Sequence, residues 1–225
     1  MTGEPMKRRT YATLSVAVCL SGALGTASLN AGDPKWYAQA DIGVSLVNNT
    51  DVEQFLFTTG GEAEFEVGFA SGLTAGYHIT PWLAAEFQTG YMFNGAEDVD
   101  AWLTQCPFMM NLTYELRKCG KFVPFVGVGA GGMLSILAID DYFGDGEGGG
   151  WVDGSDADFV FAYQAFGGLR YDFNDQMGVG FLYRFRGTGG PSWEVEDWWT
   201  GATAGDIEFD DVFSHTFTVL FNFRF

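Results

Sequence analysis

Two histidines, His78 and His215, and three cysteines, Cys19, Cys106 and Cys119, are the whole imidazole and thiol content of this sequence. No spacing among them is that of a zinc site. Ser214-His215, with Asp210 and Asp211 just before it, holds the residue types of an acyl-transfer constellation. Neighbours on a strand point to opposite faces, however, so this Ser and His cannot act directly as nucleophile and base. The chain is not expected to be an enzyme. Charge is the chemistry that remains: 29 Asp and Glu against 11 Lys and Arg give a formal charge of -18 and a pI near 4.1. Nucleic acid, which needs a basic footprint, is excluded as a partner.

The charges fall into two populations. Asp41, Glu86, Glu115 and Asp172, with Arg170, Arg184, Arg186 and Arg224, lie at alternate positions among Gly, Gln, Asn and Thr. Four acids against four bases read as a mutually neutralising network, because a lone buried charge is costly to desolvate and Arg offers a planar fork for pairing. The other reading is a pore-lining charge ring. The second population crowds into long polar stretches. Five acids lie at 51–66, three at 97–100, seven at 140–158 and seven at 194–211, with no Lys or Arg among them. Asp140, Asp141, Asp145, Glu147, Asp153, Asp156 and Asp158 make the Gly-rich third stretch a weak candidate for Ca²⁺ or Mg²⁺. Its spacing fits neither an EF-hand nor a tandem Gly/Asp repeat, and the plainer reading is a solvated loop. No other cofactor is expected.

Elements that could hold these charges follow from the period of the apolar residues. Gly 32, Phe 22 and 17% aromatic exclude disorder and argue against helices, where each Gly costs about 1 kcal/mol. Apolar residues instead alternate with small polar ones over 36–46, 65–79, 83–93, 106–116, 122–136, 159–171, 177–185 and 213–225, which is strand periodicity. Connections alternate short and long: short near 80–81, 117–121 and 174–176, mostly long at 47–64, 94–101, 137–158 and 187–212. That is the plan of an up-and-down antiparallel meander.

Alternation does not say which face is wet. A soluble barrel would expose a Lys- and Glu-rich surface, yet beyond the amino-terminal segment only Lys35, Lys118 and Lys121 remain. The polar face is small and the apolar face bulky, which suits a narrow bore and a lipid-coated exterior. Trp36, Trp82, Tyr114, Phe122, Tyr171 and Phe225 recur near strand ends, as an interfacial girdle would. Strands in lipid must close so that no edge stays unpaired, so the first and eighth must meet. The fold expected is an all-β, eight-stranded antiparallel up-and-down transmembrane β-barrel.

The motifs Tyr77-His78-Ile79-Thr80-Pro81-Trp82, the run Phe122 to Gly132, Gly168-Leu169-Arg170-Tyr171 and the ending Phe221-Asn222-Phe223-Arg224-Phe225 resemble the membrane domain of the OmpA-like eight-stranded outer-membrane barrels. The resemblance covers about 35–225 and does not extend to a peptidoglycan-binding domain. It implies a charged network in the bore, and it implies that Phe221, Phe223 and Phe225 act as the signal read by the outer-membrane assembly machinery.

Lys7, Arg8 and Arg9 followed by the uncharged run Tyr11–Gly25 and Gly25-Thr26-Ala27 have the plan of a secretory signal peptide. The expected organisation is a signal over 1–27, with Ala31 as second choice for the cut, and a barrel over 28–225. Loss of Lys7, Arg8, Arg9 and Glu4 would take the charge from -18 to -20. Cys106 and Cys119, about 40 Å apart along a strand and its turn, cannot bridge within one chain. The expected product is an outer-membrane monomer with a structural or surface-interaction role, facing membrane lipid and lipopolysaccharide. A small cation-preferring channel is the first alternative and a lipid A-modifying enzyme the second.

Overall fold

The computed structural model describes residues 35–48, 50–56, 58–59, 62–97, 101–116, 120–143, 150–196 and 203–225, with the backbone alone at 50–63, 140–155 and 194–209. The expected signal at 1–27 lies outside these residues, as do Cys119, Asp98, Asp100, Asp145, Glu147 and Asp197.

Thirteen strands follow in chain order: β1 (Trp36–Val47), β2 (Thr50–Leu56), β3 (Thr58–Thr59), β4 (Glu62–Ala63), β5 (Gly68–Thr80), β6 (Leu83–Gly95), β7 (Ala101–Glu115), β8 (Phe122–Phe143), β9 (Gly150–Asp172), β10 (Met177–Thr188), β11 (Ser192–Glu196), β12 (Thr203–Phe209) and β13 (Val212–Arg224). Eight of them close a barrel in the order β1-β13-β10-β9-β8-β7-β6-β5, every neighbouring pair antiparallel. Closure joins the first and last strands, with Tyr37 opposite Arg224 and Val47 opposite Ser214.

Burial alternates as the sequence does. On β1, Tyr37, Asp41, Ser45 and Val47 are buried while Trp36, Ile42, Val44 and Leu46 are exposed. Phe181, Phe161, Met110 and Val128 are each more than 60% exposed, on the outside of the wall. Large apolar side chains in that position need a lipid solvent. At about 3.4 Å per residue and a tilt of about 40°, Trp36 to Leu46 climbs about 26 Å, the height of an outer-membrane apolar band.

Local chemistry sets the short turns. Thr80 Oγ1 accepts the N–H of Leu83 at 3.0 Å across the Pro81-Trp82 turn. Asn174 Oδ1 accepts those of Gln176 and Met177 at 2.9 and 2.8 Å.

The long connections differ from the expectation. The stretch 137–158, read as a loop, is largely strand: β8 and β9 run on in register to the pair Phe143–Gly150. The stretches 47–64 and 187–212 hold β2, β3, β4, β11 and β12, which form a second sheet in the order β11-β12-β2-β3, with β4 also on β2. Unpaired backbone groups seek partners whatever the polarity of their side chains. The acidic composition masked that pairing in the sequence.

Candidate functional site in the barrel bore

All eight charges expected on the small-residue face have their side chains on the inner side of the wall. Seven are buried, and Asp172, nearer the short-turn end, is partly so. Arg170 lies between two acids, 2.9 Å from Glu115 Oε1 and 2.8 Å from Asp172 Oδ1. Arg224 pairs with the other oxygen of Asp172. His78 Nε2 is 3.3 Å from Glu115 Oε2. Arg184 holds both oxygens of Asp41 at 3.4 Å, with its guanidinium 6.0 Å from the centre of the Phe166 ring. Glu86 and Arg186 stand outside these ion pairs. Glu86 accepts the hydroxyl of Tyr37 at 2.5 Å, and Arg186 Nε donates to Gln164 Oε1 at 2.9 Å. Gln164 in turn donates to Gln88 at 3.0 Å and to Asn111 at 2.6 Å.

Most of these bonds reach over an intervening strand, and glycine makes two of the crossings possible. Gly76 of β5 stands in register between Tyr37 and Glu86. A Cβ there would lie 2.1 Å from Tyr37 Cζ. Gly129 of β8 stands likewise between Asn111 and Gln164, where a Cβ would lie 1.9 Å from Asn111 Oδ1. Gly76 and Gly129 thus mark where side chains of adjacent strands pass over the backbone.

The bore is not only small and ionic, and here the expectation is corrected. Ala70, Met92, Met109, Met133 and Ala162 form one buried apolar cluster, and Phe125, Phe166, Leu182 and Leu220 another. Arg186 Nη1 reaches Met92 Sδ at 2.9 Å. Met92 is on β6, diametrically opposite β10 in the strand order, so this contact spans the bore. Tyr37, His78, Gln88, Asn111 and Gln164 complete the network. Their inward parity was legible, but their partners were not. At the long-loop end Trp193, 1% exposed, donates its indole N–H to the Ser135 carbonyl at 3.1 Å. Asp158 accepts the backbone N–H of Ser192 at 3.0 Å, tying β11 to β9.

Outside, aromatic pairs ring the short-turn end: Trp36 with Tyr77 at 4.9 Å, Trp82 with Tyr114 at 5.5 Å and Phe122 with Tyr171 at 5.0 Å between ring centres. Phe221 and Phe223 are exposed on the outer side of β13, and Phe225 follows it. Cys106 has the lipid-side parity but is 3% exposed, a small side chain opposite Leu134 and next to Phe108. Ser214 is buried on the bore side, whereas His215 lies outside with Nδ1 2.8 Å from the Tyr183 hydroxyl. The two residues of the would-be dyad are thus on opposite faces of the wall. Among the described residues no three His, Cys, Asp or Glu side chains converge to hold a metal ion. Of the seven candidate acids, only Asp156 and Asp158 have described side chains. Asp156 accepts the N–H of Ala157, the next residue along β9, at 2.8 Å.

A closed barrel with a lipid-type exterior and a polar bore is the architecture of outer-membrane proteins, and the family model for the outer membrane protein beta-barrel domain matches residues 16–225. The chain belongs to that family. It is an outer-membrane β-barrel protein. No curated protein matches its sequence. Among solved structures, this outer-membrane barrel is similar to Neisserial surface protein A at 16% identity and a TM-score of 0.53, covering 84% of this chain and 97% of that one. It is similar as well to the outer membrane protein OprG from Pseudomonas aeruginosa, at 12% identity and a TM-score of 0.54, covering 85% of this chain and 97% of that one. Identities this low speak for the fold of the barrel alone.

Proposed function

We propose that this barrel is a closed structural and surface-interaction protein of the outer membrane, with a bore plugged by its own side chains. The observation that carries this reading is the Arg186–Met92 contact from one wall to the opposite one. The methionine cluster and the Arg170–Glu115–Asp172 ion pairs support it as further obstructions. An eight-stranded barrel has room for side chains and little else. Planar-bilayer recording tests it: the expected trace is flat or shows only brief small events. A large, long-lived, cation-selective conductance would replace this reading with the channel alternative.

The long-loop end faces outward in this reading, and its partners are outer-membrane lipid and lipopolysaccharide. Backbone register pairs acidic residues there: Asp140 with Asp153, Glu194 with Asp206 and Asp51 with Glu62. Such pairs repel unless a cation intervenes, which favours weak Ca²⁺ or Mg²⁺ bridging to anionic lipid. Residues 1–27 serve as the export signal, and Phe221, Phe223 and Phe225 are presented to the assembly machinery. The protein acts as a monomer and without catalysis. Lipid A mass spectra identical with and without the gene are the expected result, and a modified lipid A that depends on the gene would reverse it.

A further inference from the structure

We infer that the outer wall holds one glycerophospholipid of the periplasmic-side leaflet, with an acyl chain in a groove at Gly167 and its phosphate at Lys121. The groove, of about 670 Å³, crosses the outside of β8, β9, β10, β13 and β1. Its floor is Gly167, an outward position of β9 where a Cβ would meet nothing closer than 3.4 Å. Val126 stands opposite Gly167 on one side and Tyr183 on the other. The exposed Val126, Leu169 and Phe181 rise around it as walls. A bare backbone between bulky side chains is a slot, and a flexible methylene chain gains close contacts there that a flat wall does not offer.

The groove begins in the half of the wall nearer the short turns, and a cation stands below it. Tyr171, Leu169 and Gly167 are successive outward residues of β9, opposite Phe122, Pro124 and Val126 of β8. At about 3.4 Å per residue and a tilt of about 40°, Gly167 is about 10 Å above Tyr171, within one leaflet. Lys121, just before β8, is exposed, and its Nζ is 6.0 Å from the centre of the Tyr171 ring, which draws it to the lipid side. Asp172, bonded to Lys121 through the backbone, has its carboxylate taken up by Arg170 and Arg224. The Lys121 ammonium is thus left to an anion at headgroup height. Charge and height together choose the occupant. A phosphodiester beside Lys121, with its chain rising past Leu169 to Gly167, is that of a glycerophospholipid and not of lipopolysaccharide, which belongs at the long-loop end. This site depends on a lipid-facing wall and on the reading of membrane lipid as a partner, and not on the plugged bore.

Native mass spectrometry of the folded protein, purified from outer membranes in detergent and titrated with phosphatidylglycerol, tests this. One lipid is expected to stay bound after the others are stripped. Gly167→Phe, which fills the groove, should weaken that retention about tenfold, and Lys121→Gln about threefold, the size of an exposed ion pair. Ala130→Phe, exposed on β8 but away from the groove, should leave it unchanged. All three variants should keep the heat-modifiable band, and Gly167→Val serves if Gly167→Phe does not fold. Equal retention by the parent and the groove variant, with that band intact, would overturn the site and leave the lipid-facing wall standing. So would an equal loss of retention in Ala130→Phe, or a dimer of the parent protein that Gly167→Phe dissolves. A monomer folded in plain buffer would instead overturn the wall itself.

Discussion

Several inward glycines of this barrel, Gly76 and Gly129 among them, are positions over which a neighbour's side chain passes. Gly129→Ala would drive a Cβ into Asn111 Oδ1 and uncouple Asn111 from Gln164. Overpacking of this kind costs about 1–3 kcal/mol. Urea unfolding of the refolded protein in lipid vesicles should show a lower midpoint, whereas Gly189→Ala, where a Cβ meets nothing within 4 Å, should not. The ion pairs make a second prediction at this scale. Glu115→Ala leaves the buried Arg170 with Asp172 alone, a loss of about 3–5 kcal/mol. The double variant Glu115→Ala/Arg170→Ala should recover part of it in the same assay. Equal stabilities of the single variant and the parent would show that the pair is solvated. The network itself was half legible: parity put each charge inside, but the choice of Tyr37 over an Arg as the partner of Glu86 was not. That choice depends on which strands lie two apart around the barrel.

Among the elements, β11 is the one whose attachment can be tested most directly. It is held to the barrel by the Trp193 indole on Ser135 and the Ser192 N–H on Asp158. Trp193→Ala removes a fully buried side chain, worth about 3–5 kcal/mol where it packs. The expected outcome is faster protease nicking within 187–212 with no change in the heat-modifiable barrel band. Unchanged nicking would mean that β11 is held by other contacts. The facing acid pairs of the outer strands argue a cation effect: millimolar Ca²⁺ should slow that nicking in the parent protein. Titration calorimetry without Ca²⁺-dependent heat would remove the metal bridge. These outer strands were read as loops because acidic, Gly-rich stretches lack the apolar alternation that marks a strand. Their pairing uses backbone groups, which carry no sequence signature of their own.

For the molecule as a whole, exposed Phe, Leu, Val and Met around the wall mean that the folded state requires an amphiphile. Unheated samples should migrate differently from heated ones on a detergent gel, and the protein should not stay folded and monomeric in plain buffer. A stable monomer in buffer would contradict the lipid-facing assignment of the bulky side chains.

The eight strands, their alternation and the outer-membrane destination were determined by sequence alone, because a period of two and a bulky face against a small one leave a single consistent way to meet lipid. The tertiary structure decided what the bore contains. Met92, Met109 and Met133 stand on inward-parity positions, but nothing in the sequence showed that apolar residues there would pack into one cluster in the bore. Which side chains meet across the bore depends on the strand order and register that closure imposes. Closure also set Arg186 against a methionine rather than a carboxylate.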